Sequence, residues 1–278
     1  MPSHIALVSE SANIPLSQVA IASAAIQKQV TRDLSPIWGV DATVDPFETI
    51  EAAPPDAWLI IIRDNIDHTG QPGYHVTNQN QPFALVLADA NWSLTSSHEA
   101  LEMIIDPFGS TIKTGPAPSQ APPPLDGLGF VPYLVEVCDP CEGPTFAYTV
   151  DNVTVSDFVT PDYYTAASTA GHFSFRGNVT SPHQVLEGGY VSFQNVMNYH
   201  WLQLAVSNQQ AALRDFGFIK PSGRTPLREI ADRTARRARK KSTSRSTPTA
   251  ENVFTPFRPS DAQVARAKFL RESIAKLK

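Results

Sequence analysis

Residues 57–64, AWLIIIRD, place six apolar residues in a row between the turn-forming PPD and DN. A run of this length with no polar alternation reads as a central strand buried on both faces. It requires a layered domain, and the neighbouring segments supply more of the same sheet. HIALVS (4–9) reads as a second buried strand, and VDATVDPF alternates as a half-buried strand does. QPFALVLAD (81–89) is a further strand, expected at a sheet edge because it begins at proline. HTGQPGYHV, between the two apolar runs, is expected as a turn-rich loop.

Helical spacing appears twice in this half. Val19, Ala22, Ile26, Val30 and Leu34 predict a long helix, with Ser17 as its cap and Pro36 and Gly39 as its stop. A second helix is expected over SSHEALEMIIDPFG. Thr95, Ser96 or Ser97 would cap it, Leu101, Ile104 and Ile105 would form its apolar face, and Pro107 and Gly109 would end it. The chain has 24 prolines, above the usual ~5%, and five of them fall in the loop predicted over 114–129. Residues 130–219 carry short alternating β-elements, and YHWLQLAVSNQQAALRDFGF is expected as a last strand or short helix. The fold class is therefore α+β: a mixed, mostly-β sheet with a long N-terminal helix and a second helix after the strands.

That second helix carries the chemistry. Residues four apart share a helix face, so His98 and Glu102 can reach one cation, while Glu99 lies ~100° around the helix. Imidazole and carboxylate both suit Zn²⁺, and a carboxylate beside the open position can take a proton from water. The second carboxylate hardens the donor set, so other divalent ions compete with zinc. Asp106 lies a ~12 Å rise beyond His98, too far to share its ion. It is expected to orient a ligand or to pin the following loop by accepting backbone hydrogen bonds. Third-ligand candidates are Glu136 and Asp139 in VEVCDPCEG, with His75 in GYH and His200 in NYHW behind them. Against this stands the plain alternative, since H-E-x-x-E also occurs by chance on surface helices. The two cysteines, Cys138 and Cys141, form a C-x-x-C pair whose proline favours a tight turn over a redox dithiol.

SHEALEMIIDPFG followed by VEVCDPCEG and YTVDNVTVSDFVTPDYY resembles the zincin metallopeptidases. More narrowly, it resembles a group of uncharacterised bacterial proteins with an H-E-x-x-E-x-x-x-D-P helix and a later Glu-x-x-Asp-Pro segment. The resemblance covers roughly residues 1–165. It implies a zincin-like sheet behind an active-site helix, a zinc-dependent hydrolase acting on proteins or peptides, His98 and Glu102 as helix ligands, Glu99 as general base, and Glu136 or Asp139 as the later acidic ligand. Glu102 departs from the commoner zincin pattern, which has histidine there. The alternative reading is a non-catalytic structural or assembly protein on the same scaffold.

Net charge divides the chain. Residues 1–219 hold six Lys/Arg against 22 Asp/Glu, a net −16, whereas residues 220–278 hold 16 against five, a net +11. Residues 1–219 are thus read as the zincin-like domain, 220–259 as a basic, largely disordered linker, and 260–278 as an amphipathic helix. Val264, Phe269, Ile274 and Leu277 supply its apolar residues. The helix would dock on a protein partner, or the basic cluster 233–245 would bind nucleic acid or another polyanion. No stretch reads as a signal peptide or membrane span, so a soluble cytoplasmic protein without membrane contact is expected.

Overall fold

A computed structural model describes residues 3–66, 71–78, 81–165, 171–219 and 261–276. The first half builds one five-stranded mixed sheet from β1 (Ser3–Ser9), β2 (Ala42–Phe47), β3 (Trp58–Arg63), β4 (Gly73–Asn78) and β5 (Gln81–Leu87), in the order β2-β1-β3-β5-β4. Four strands run parallel and β4 runs antiparallel to β5 at the edge. Parallel strands must be covered on both faces, and Leu59–Ile62 of β3 are completely buried.

One face carries Ile5, Leu7, Ile60, Ile62, Ala84 and Val86 against helices α1 (Leu16–Gln29) and α3 (Trp92–Ile105). The opposite face carries Ala6, Val8, Leu59, Ile61, Phe83 and Leu85. Leu270 and Ile274 of the last helix, α4 (Asp261–Lys276), join that second cluster. Arg266 of α4 donates to the carbonyls of Pro54 and Ala57, and Arg271 pairs with Glu51. The buried side of this terminal helix is thereby taken up by the chain's own sheet. Val264 is 46% exposed, Phe269 is half-buried, and Leu277 lies outside the described residues, as do the basic cluster 233–245 and the linker 220–259.

The second half builds a five-stranded antiparallel sheet from β6 (Ile112–Pro116), β7 (Phe130–Leu134), β10 (Tyr190–Gln194), β11 (His200–Ser207) and β12 (Gln210–Phe218). Their order is β12-β11-β10-β7-β6. A small hairpin, β8 (Tyr148–Val150) with β9 (Val153–Val155), packs beside α3 and α1. Val131, Tyr133, Val191, Phe193, Leu202, Leu204 and Val206 carry the core across this sheet. The α+β class with mixed sheets is as expected from the sequence.

Several local expectations are corrected. The first helix starts at Leu16 with Pro15 as its cap residue and no side-chain cap, so Ser17 lies inside it. Its 14 residues pass into a π-helical turn, Val30–Leu34, and then the single turn α2 (Ser35–Trp38), so one uniform long helix is not formed. Pro36 sits in the first turn of α2, where the missing N–H costs nothing, and the stop is Gly39 in the left-handed region at φ 66. GYHVTN is strand β4 and not loop. Tyr74 and Val76 point into one apolar cluster while His75 points away, a period of two that the preceding turn residues obscure. That makes β4 the edge and β5 an interior strand, its proline confined to the strand start. Residues 114–116 belong to β6. The last apolar stretch is a hairpin, because Asn208 and Gln209 both take positive φ in the tight turn between β11 and β12.

Candidate metal centre

Helix α3 begins at Trp92, three residues before the earliest expected cap, because its first turns are buried and not solvent-facing. Ser97 is inside the helix and holds two other elements to it. Its hydroxyl donates to Gln29 Oε1 of α1 at 2.7 Å and accepts the Ser156 N–H at 3.0 Å. Gln29 in turn donates to Tyr148 and to the Ser156 carbonyl, and Tyr148 donates to Asp33 in the π turn. The helix is thus fixed on several sides before any functional residue is considered.

At ~100° per residue, Glu102 falls between His98 and Glu99 around the α3 axis. Each flank of this trio meets a different element. His98 Nε2 lies 3.4 Å from Glu102 Oε2 and 3.1 Å from Asp139 Oδ1. On the other flank, His75 Nδ1 of β4 lies 3.0 Å from Glu99 Oε2 and 3.8 Å from Glu102 Oε2. Gly73 permits the approach of β4: a Cβ there would fall 2.4 Å from Thr95 Cγ2 and 3.1 Å from Glu99 Oε1.

Asp139 arrives on a tight 3₁₀ turn, Asp139–Cys141, so C-x-x-C is a turn as the proline suggests. The turn is tied to the helix by the Cys138 N–H, which donates to Glu102 Oε1 at 3.2 Å. Its other side packs on the start of the second sheet. A Cβ at Gly189 would stand 2.6 Å from the Asp139 carbonyl, and the Leu186 N–H donates to the Pro140 carbonyl. Both thiols are free and buried, and burial together with nearby carboxylates raises their pKa well above the usual range. That disfavours the thiolate a redox dithiol needs.

Of the acidic candidates, Asp139 joins the helix residues. Glu136 belongs to neither group of clustered donors; its carbonyl accepts the Tyr164 hydroxyl at 3.2 Å. Asp106 stands apart and accepts both the N–H and the hydroxyl of Thr111, each at 2.8 Å. The Thr111 carbonyl accepts the Val135 N–H, so Asp106 anchors the strand that leads to the Asp139 turn. His200 pairs instead with Asp215 at 3.0 Å across β11 and β12.

Two groups of donors emerge, each with its ligand atoms within 4.8 Å of one another: His75, Glu99 and Glu102, and His98, Asp139 and Glu142. Glu142 was not anticipated. The usable signal is its spacing of three from Asp139, which in a 3₁₀ turn puts both side chains on one side. Burial pushes the Glu142 carboxyl up to about 8, with the Asp139 charge adding to it. Burial opposes a charged His98, yet Glu102 and Asp139 outweigh it and raise its pKa well above the usual value. Imidazole and carboxylate donors brought together away from water form the kind of donor set a divalent cation fits. Among the described residues, no helix is long and apolar enough to cross a membrane.

No protein-family model, no curated protein and no solved structure matches the chain.

Proposed function

We propose that the chain is a zincin-like, metal-dependent peptidase that hydrolyses peptide bonds in proteins or peptides. His98, Glu102 and Asp139 would hold the ion, and Glu99 would serve as the proton acceptor. The observation that carries this reading is the meeting of His98 Nε2 with Glu102 Oε2 at 3.4 Å and Asp139 Oδ1 at 3.1 Å, with donors supplied by a helix and a distant turn. The scaffold supports it: a mixed sheet with an antiparallel edge strand lies behind the helix that bears the motif. Zinc is the proposed ion, with other divalent ions competing because the set is rich in carboxylate.

A bound divalent ion would lower the pKa of water toward ~7 and polarise a peptide carbonyl. The protein's own residues supply the proton transfers. Glu99, held by His75 at 3.0 Å, takes the proton of the attacking water and returns it to the departing amine nitrogen. Asp106 acts at a distance, through the Thr111 link that anchors the acidic turn. A cytoplasmic setting is consistent with both cysteines being free. The proposed partner role of the tail, toward a protein or a polyanion, rests on its charge.

A second reading, a metal-braced structural protein on the same scaffold, is favoured by burial: Glu99, Glu102 and Asp139 are each 2% exposed or less. Cleavage of a random peptide library by metal-loaded protein separates the two. The peptidase reading expects cleavage that Glu99→Gln abolishes while bound metal is retained. Metal-loaded wild type that cleaves nothing favours the structural reading.

A further inference from the structure

One carboxylate oxygen of the first donor group also faces the histidine of the second. Glu102 Oε2 lies 3.4 Å from His98 Nε2 on one side and 3.8 Å from His75 Nδ1 on the other. The remaining oxygen of that carboxylate, Oε1, accepts the Cys138 N–H, which fixes how the side chain is presented. Each side then completes itself: His98 with Asp139 and Glu142, His75 with Glu99. The sum is two imidazoles and four carboxylates, a hard donor set with three donors on one side of the Glu102 carboxylate and two on the other.

We propose that the chain binds a second divalent cation on His75, Glu99 and Glu102, with Glu102 shared between it and the ion on the His98 side. The proposal rests on the preceding reading of His98, Glu102 and Asp139 as an ion site. Charge supports it. Glu99 and Glu102 are each at most 2% exposed, and a divalent cation between them offsets carboxylate charge that is costly to bury uncompensated. Gly73 lets β4 bring His75 this close to α3, since a Cβ there would fall 2.4 Å from Thr95 Cγ2 and 3.1 Å from Glu99 Oε1. Glu99 is then a ligand in the two-ion state and the proton acceptor in the one-ion state. The class of ion is a hard or borderline divalent metal such as Mn²⁺, Fe²⁺ or Zn²⁺.

The test is titration of chelator-stripped, full-length protein with Mn²⁺, followed by calorimetry and electron paramagnetic resonance. The expected result is two equivalents per chain, with a spin-coupled signal appearing as the second binds. In His75→Gln one equivalent and an isolated-ion signal should remain. The wild-type stoichiometry does not depend on how well the variant folds. A single wild-type equivalent, kept in His75→Gln and lost in His98→Ala, overturns the second site and leaves the first intact. Two uncoupled equivalents unchanged by His75→Gln also overturn it, by putting the second ion elsewhere. Absence of any uptake defeats both sites together.

Discussion

His98 Nε2 and Asp139 Oδ1 lie 3.1 Å apart, one on the helix behind the first sheet and the other on a 3₁₀ turn braced by the second. Neither sheet alone brings these side chains together. They meet where the two halves of the chain are clamped, by Cys138 on Glu102 and by Gly189 against the Asp139 carbonyl. Changes that loosen the clamp should therefore act on the centre without touching a donor.

Gly73→Ala is the sharpest of these on the first-sheet side. Its methyl would stand 2.4 Å from Thr95 Cγ2, so β4 must move off α3 and take His75 away from Glu99. Overpacking of this kind costs about 1–3 kcal/mol. Chemical denaturation should show that loss, and amide exchange along β4 should quicken. Unchanged stability and exchange would mean that the strand has slack there.

Much of this was legible in the sequence. The unbroken apolar run of β3 announced a doubly covered strand, and the four-residue spacing of His98 and Glu102 put two donors on one helix face. Asp139 was legible as a candidate because an acidic turn followed the proline-rich segment. Three features were hidden, each for a physical reason. The strand that carries His75, itself a named candidate, was masked because turn-forming residues precede a segment too short to advertise its period. Glu142 was masked because a 3₁₀ turn, not an α-helix, sets its spacing from Asp139. The start of α3 was masked because Thr95, Ser96 and Ser97 look like cap residues but are buried, with Ser97 spending its hydrogen bonds on Gln29 and Ser156.

The terminal helix offers a direct contrast. Leu270 is 2% exposed against the apolar face of the first sheet, whereas Val264 on the same helix is 46% exposed. Leu270→Ala should cost about 2–5 kcal/mol, the range for a buried leucine. Val264→Ala should change stability by no more than about 0.5 kcal/mol. Equal, small effects in urea denaturation would show that α4 does not pack on the sheet in solution.

His183 gives the protein a pH dependence of known sign. It is buried and stacked on Tyr133 at 4.5 Å between ring centroids, and burial lowers its pKa to about 4. The fold thus keeps the neutral ring, and the unfolded chain takes up the proton first as pH falls. The stabilisation is complete above the usual value of ~6.5 and is lost as pH drops through about 4, a span worth about 3 kcal/mol. His183→Asn, which tolerates the local φ of 60, should flatten the stability profile over that window. Parallel profiles for variant and wild type would contradict this.

Asp106 is expected to matter for the loop more than for the ion. Asp106→Ala leaves the Thr111 N–H without its acceptor and should cost about 1–3 kcal/mol. Asp106→Asn, which keeps one acceptor oxygen, should recover part of the loss. Both should speed amide exchange at Thr111, and a variant with wild-type exchange there would remove Asp106 from its anchoring role.

Metal content, measured by mass spectrometry on protein purified without chelator, tests the centre most directly. Wild type should carry at least one equivalent of a divalent metal per chain. His98→Ala and Asp139→Ala should each lose the ion on that side, while Glu99→Gln should keep it. Metal-free wild type, or an ion bound equally well by His98→Ala and Asp139→Ala, would contradict the assignment of His98, Glu102 and Asp139 as its ligands.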